Sequence, residues 1–231
     1  MQCNVCEATE FVDMHTRKNV RCAQCGSLER TRLIWLYLQD IVLPKNAKVL
    51  HFAPERGLHD AFMKMDEIGS YVCADFDPAR YRFADCVKMD LCSLDDQPSL
   101  EYDLIIHSHV LEHVPCNIAY TLFHLHRMLK NDGVHLCVIP FMKGEYDESF
   151  QDIGNDERTR RFGQFDHVRR FGANDIPSHL GKLLKLPATF DATTRFAPEV
   201  LLAANIPPAH WKGFHISTVL QLSRSDMTLL P

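Results

Sequence analysis

From residue 47 onward the chain alternates short apolar runs with longer stretches that carry helix or turn signals. The runs AKVLHFA, SYVCAD, CVKMD, YDLIIHS and GVHLCVIP are each of strand length. Alternation of this kind predicts an α/β fold, a mostly parallel doubly wound sheet with helices on both faces. Further on, ANDIPSHLGKLLK reads as a helix and FHISTVLQLS as a final strand, with Pro187, Pro198, Pro207 and Pro208 punctuating the connection. Ahead of the alternating region, SLERTRLIWLYLQDIV opens on Ser27, a favourable N-cap, and spaces Leu33, Ile34, Tyr37, Leu38 and Ile41 along one face. The division expected is therefore a small unit over 1–26, a linking helix over 27–46 and a main domain over 47–231.

In open α/β sheets a ligand sits beyond the carboxyl ends of the strands. That directs attention to Glu55 to Gly57, Asp75 to Asp77, Asp90 with Leu91, and Ser108 to His113. Asp75 ends an apolar run 18 residues after Gly57, where a carboxylate accepts hydrogen bonds from both hydroxyls of a ribose. Its competing role is to cap the segment PARYRF, which Asp77 fits better. Asp90 closes the third run and is suited to receive an adenine amino group while Leu91 packs on the ring.

The first 25 residues have a chemistry of their own. Cys3-x2-Cys6 and Cys22-x2-Cys25, separated by fifteen residues, have the spacing of a four-thiolate structural zinc site. Two tight turns then present two pairs of sulfurs to one ion, and Gly26 supplies backbone freedom beside the second turn. A redox role would need only one such pair, in a βαβ context that neither pair has. A ribbon this small needs the metal because its own core is too thin to fold alone. Its expected role is a stabilising or substrate-covering cap.

Composition narrows the partners. The 231 residues carry a net charge of −5, so no global basic field draws in nucleic acid. No apolar run approaches the ~20 residues that span a bilayer, and MQCNVCEATE has neither a basic nor an apolar leader region. An odd total of nine cysteines argues against a disulfide framework and for a reducing compartment, so the expected location is cytoplasmic, with no membrane partner.

The segments VLHFAPERG, YVCADFDP, VKMDL, YDLIIHSHVLEHV and HRMLKNDGVHLCVIP, in this order, resemble the class I S-adenosylmethionine-dependent methyltransferases over roughly residues 47–222. A narrower likeness is to a bacterial, methyltransferase type 11-like subgroup with a CxxCGSxxR ribbon, an A-P-E first loop and a FGQFDHVRRFG segment. It rests on Cys22, Cys25, Gly26, Ser27, Arg30, Ala53, Pro54, Glu55 and Phe162 to Gly172. The resemblance implies a Rossmann-like sheet of about seven strands, the last antiparallel. It also implies a cofactor site on Ala53, Glu55, Gly57, Asp75, Phe76, Asp90, Leu91, Ser108 and His109. The first loop departs from the family's glycine pattern, and His51 stands where an acidic residue is usual. These departures exclude a pyrophosphate cofactor, which needs close backbone approach, more than they exclude S-adenosylmethionine, which has no phosphate.

Methyl transfer is an in-line displacement, so the protein aligns nucleophile, methyl and sulfur and supplies a base where the acceptor is O–H or N–H. His109 and His113, four apart, are expected on one face of a starting helix, with His113 and Glu112 organising it. The segment ERTRRFGQFDHVRRFG follows the fifth run as an inserted cap around 143–173. His167, paired with Asp166, is the first candidate base, with His109 the second. Arg161, Arg169 and Arg170 are candidates to bind an anionic acceptor, weighed against internal Asp–Arg pairing on a solvated helix. The expected activity is methylation of a small polar acceptor, an oxygen of a saccharide or related metabolite. RNA methylation through the ribbon, and a non-catalytic cofactor-binding protein, are the alternatives.

Overall fold

The computed structural model describes residues 1–230. Its N-terminal ribbon is a hairpin of β1 (Phe11–Met14) and β2 (Arg17–Cys22), leading into helix α1 (Glu29–Gln39). The helix is capped one residue later than the sequence suggests. Leu28 is its N-cap, and the Leu28 backbone N–H donates to Thr31 Oγ1 at 3.1 Å. Ser27 is drawn away because its hydroxyl lies 3.1 Å from Cys3 Sγ.

The main sheet then builds from β3 (Ala47–Phe52), helix α2 (Arg56–Phe62), β4 (Ile68–Asp75), β5 (Cys86–Lys88), β6 (Tyr102–Ser108), helix α3 (Ile118–Met128) and β7 (Leu129–Val138). The cap comprises the two-residue strands β8 (Phe141–Met142) and β9 (Asp147–Glu148), helix α4 (Asn155–Phe162) and β10 (Arg169–Gly172). Short helices α5 (Leu180–Leu183) and α6 (Pro198–Ala203) precede the last strand, β11 (Val219–Ser223).

The strand order is β11-β7-β6-β3-β4-β5, parallel except for β11 against β7. The sheet has six strands rather than about seven, with the expected antiparallel edge. Between β10 and β11, Pro177, Pro187, Pro198, Pro207 and Pro208 interrupt the chain. Proline donates nothing to a ladder, so this stretch folds as short helical turns instead of another strand. The helix expected over ANDIPSHLGKLLK shrinks to a 3-10 turn and α5 for the same reason, and because Asp175 is held by the Tyr146 backbone N–H.

Alternation along the strands feeds the two faces. Val49, Leu104, Ile106, Leu136 and Val138 pack against Leu33, Ile34 and Leu38 of α1, Leu58 and Phe62 of α2, and the 190–206 segment. Leu50, Phe52, Ala74 and Ile105 meet Leu125 and Met128 of α3 on the opposite face. A third cluster, with Cys137, Phe141, Phe171, Leu180 and Leu220, seats the cap and α5 beside the antiparallel edge. Among the described residues no helix is long and apolar enough to cross a membrane.

Candidate functional site

The four ribbon cysteines converge. Cys3 Sγ lies 3.6 Å from Cys25 Sγ and Cys6 Sγ 3.5 Å from Cys22 Sγ, and all four sulfurs fall within 4.8 Å of one another. A tetrahedral zinc with bonds of about 2.3 Å separates its sulfurs by roughly 3.8 Å, so the cluster fits a closed four-thiolate shell. The Cys25 hydrogen bond holds the Cys3 thiol down at about 4, which favours a thiolate there. Fully buried Arg32 anchors the ribbon, donating to the carbonyls of Val20, Ser27, Ala204 and Asn205.

The ribbon rests on the loop after β3. A Cβ on Gly57 would lie 3.2 Å from Cys25 Sγ and 3.3 Å from the Cys25 carbonyl, so this glycine serves the approach of α2 to the second cysteine turn. Arg30, just inside α1, binds Glu55 at 3.0 Å and donates from Nε to Ser108 Oγ at 3.2 Å. Glu55, Gly57 and Ser108, expected at the cofactor, therefore form the seam between ribbon and main domain and lie outside the cleft's lining. Strand-end position alone identified them, and it does not say which way a side chain turns.

Beyond the carboxyl ends of β3 to β6 opens a cleft of ≈ 700 Å³, within the range typical of small-molecule sites. Its walls include Ala53, Asp75, Phe76, Asp90, Leu91 and His109, six of the nine residues expected at the cofactor. Asp75 accepts from the Asp77 backbone N–H at 2.8 Å and from Tyr81 Oη at 2.7 Å, which fixes its carboxylate. Asp90 accepts from the Cys92 backbone N–H at 2.8 Å. Phe52, Met89, Leu91 and Val114 supply apolar wall to the same cleft. These groups could hold an adenosine: one carboxylate to accept from a vicinal diol, another to accept from an exocyclic amine, and apolar surface for the ring. Ala53 and His109 both hold left-handed backbone, at φ 47° and 56°, a costly conformation for non-glycine residues that clusters at ligand sites.

The far end of the cleft is lined by His109, His113, Gln164 and Asp166. The LEH segment is a 3-10 turn, Leu111–His113, and α3 starts only after the Asn117 cap, whose side chain accepts from the Ala119 N–H at 2.9 Å. His109 and His113 therefore do not share a helix face; Pro115 separates the turn from the helix. His109 Nε2 donates to the Ile216 carbonyl at 2.8 Å, and burial, with Arg30 nearby, lowers its pKa to about 3. It borders the cleft as a neutral imidazole whose Nε2 proton is committed to Ile216. FHIST stays out of β11 because it folds as the turn that carries this carbonyl: His215 N–H donates to Thr218 Oγ1 at 2.8 Å.

Asp166 is not paired with His167. It accepts from Gln164 Nε2 at 2.7 Å and lies 3.4 Å from His113 Nδ1, while His167 sits edge-on behind His113 at 4.6 Å between ring centroids. The two lie in a turn closed by the His167 N–H on the Gln164 carbonyl at 3.3 Å, which their adjacency in sequence does not reveal. His167 does not line the cleft.

The three arginines expected to bind acceptor are committed to the protein. Arg161 forks onto Asp147. Arg169, fully buried, donates to the carbonyls of Leu111 and Cys116, both at 2.6 Å, and Arg170 donates to the Glu145 carbonyl at 3.1 Å. They stitch the cap to itself and to the LEH turn; none reaches the cleft. Glu112, in that turn, was expected only to organise it. It is 1% exposed, neither carboxylate oxygen has a hydrogen-bond partner, and burial raises its pKa to about 8.

The model of a methyltransferase-domain family matches residues 32–176. No curated protein matches the chain. Among solved structures, similarity is found to a chain of the Haloferax volcanii complex between the Trm112 methyltransferase activator and a candidate methyltransferase, at 14% identity and a TM-score of 0.48, covering 81% of this chain and 86% of that one. The YcgJ protein of Bacillus subtilis is similar at 15% identity and a TM-score of 0.47, over 77% and 79% of the two chains. The trans-methyltransferase CalH, in complex with SAH, is similar at 18% identity and a TM-score of 0.35, over 53% and 38%.

Proposed function

Since this chain belongs to the methyltransferase-domain family of S-adenosylmethionine-dependent enzymes, we propose that it methylates an oxygen of a neutral, polyhydroxylated small molecule such as a saccharide. The observation that carries the reading is the single cleft in which Asp75 and Asp90 stand at one end and His113, Gln164 and Asp166 at the other.

When bound, S-adenosylmethionine supplies a methyl group made electrophilic by its sulfonium. In the proposal Asp75 holds the ribose hydroxyls, Asp90 receives the adenine amine, and Met89 and Leu91 sandwich the ring. His113, Gln164 and Asp166 receive the acceptor hydroxyl, with Asp166 as the carboxylate that takes its proton. His109 is a neutral wall beside the reacting end. An anionic acceptor is disfavoured because Arg161, Arg169 and Arg170 are occupied and the cleft is lined by Asp75, Asp77, Asp90 and Asp166 against Arg80. The same carboxylates repel an RNA backbone. The ribbon's proposed role is structural: a zinc ion held by Cys3, Cys6, Cys22 and Cys25 that steadies the loop after β3.

The test is transfer of labelled methyl from S-adenosylmethionine to matched panels of neutral and carboxylated sugars. Incorporation into neutral sugars that falls at least about 100-fold in Asp166→Asn, with cofactor affinity retained, supports the proposal. Preference for the carboxylated panel, or an unchanged rate in that variant, contradicts it.

A further inference from the structure

Glu112, His113 and His167 each place a ligating atom within 4.8 Å of the others. Three features set this cluster apart from ordinary polar packing. The Glu112 carboxylate is buried with neither oxygen hydrogen-bonded among the described residues; His109 Nδ1 lies 3.4 Å from Oε1. His113 turns Nδ1 toward the Asp166 carboxylate at 3.4 Å, and His167 turns Nδ1 onto the Phe162 carbonyl at 3.0 Å. Orienting a histidine through one nitrogen, by a carboxylate or a backbone carbonyl, is how proteins prepare the other nitrogen to bind a metal. Among the described residues neither Nε2 has a hydrogen-bond partner.

We propose that Glu112, His113 and His167 form a divalent-cation site at the acceptor end of the cleft, bound through the Glu112 carboxylate and the two Nε2 atoms. Two imidazoles and a carboxylate suit a first-row divalent ion and leave coordination positions open. With bonds of about 2.1 Å, ligand atoms lie no more than about 4.2 Å apart, close to the 4.8 Å within which one ligating atom of each residue already falls. His113 lines the cleft, giving the ion an entry path from the acceptor side. The charge balance also favours a cation: Asp166 stands beyond His113, and the two arginines whose charge acts on Glu112, Arg30 and Arg169, are already paired to Glu55 and Glu148. Resting on the methyltransferase reading, the class of acceptor that follows is one with two adjacent oxygens able to chelate the ion.

The probe is Mn2+, a hard ion that four thiolates do not favour, added to protein whose ribbon has first been filled with one zinc per chain. Free Mn2+ is followed by electron paramagnetic resonance, with no turnover required. One Mn2+ per chain in the wild type, with affinity at least ten-fold weaker in both Glu112→Gln and His167→Ala, is the expected result. The variants are compared only at wild-type zinc content and thermal midpoint, and Glu112→Gln, nearly isosteric, guards against a collapse caused by His167→Ala. Absence of Mn2+ binding at millimolar concentration, or binding unaltered in both variants, overturns the proposal. An S-adenosylmethionine titration on the same preparation separates the two readings. Cofactor binding without Mn2+ binding defeats only the cation site; Mn2+ binding without cofactor binding defeats only the methyltransferase assignment.

Discussion

Arg30 binds Glu55 at 3.0 Å across the seam between the ribbon and the loop after β3, with both side chains mostly buried. Glu55 Oε2 has no partner, so the pair is the one charge compensation this carboxylate has. Truncating one member of a buried pair strands the other. Arg30→Ala is expected to lower stability by about 3 kcal/mol, the lower end for a buried pair because part of each side chain stays exposed. Glu55→Ala is likewise expected to lower stability, and both variants to leave S-adenosylmethionine affinity within about three-fold, less than one typical net hydrogen bond is worth. Urea unfolding and calorimetry on the two variants check this; a large affinity loss in Glu55→Ala would place the carboxylate on the cofactor instead.

The seam also explains Gly57. Replacing it by valine drives side-chain carbons into Cys25, whose sulfur already lies 3.2 Å from a notional Cβ. Overpacking of this kind costs about 1–3 kcal/mol, and its consequence here is a displaced cysteine of the proposed zinc site. Gly57→Val is expected to release zinc to a chelator at least ten-fold faster than wild type, measured with a chromogenic chelator. Release at the wild-type rate would separate the glycine from the metal.

His107 gives a pH prediction. It is fully buried on β6, neither ring nitrogen has a partner, and burial holds its pKa at about 3 against an ordinary 6.5. His135, beside it, is lowered in the same direction by the same cause. Because the folded pKa is depressed, the neutral ring's contribution is complete above about pH 6.5 and is lost as pH falls toward 3. His107→Leu removes that acid sensitivity together with two unpartnered nitrogens. Near pH 5 the variant is expected to exceed wild type in stability by about 1–2 kcal/mol, with the difference shrinking above pH 7. Parallel stability curves in urea across pH 4–8 would contradict it.

The features legible in sequence were those fixed by local pattern. Alternating runs gave the strands, CxxC spacing gave the sulfur cluster, and strand-end position placed Asp75, Asp90, Leu91 and His109 on the cleft. Direction and partnership were not legible. Glu55 and Ser108 also sit at strand ends, but Arg30 turns both toward the ribbon. The arginines of the cap looked like anion binders because Asp147 and the Leu111, Cys116 and Glu145 carbonyls meet them only after folding. Asp166 finds His113 rather than its chain neighbour, and nothing in LEHV announces that Glu112 is buried without a partner. The proline-punctuated stretch before β11 carried the signal against a further strand, in residues that cannot complete a ladder.

Calorimetric titration of the zinc-filled protein with S-adenosylmethionine tests the central claim most directly, run beside Asp75→Asn. Asp75 is set by Asp77 and Tyr81 at the cleft wall, and losing charge-assisted hydrogen bonds to a diol costs about 1.5–3 kcal/mol. The account predicts one cofactor per chain, with affinity about 10- to 100-fold weaker in the variant and an unchanged unfolding midpoint. Absence of binding to the wild type, or equal affinity in Asp75→Asn, would contradict it.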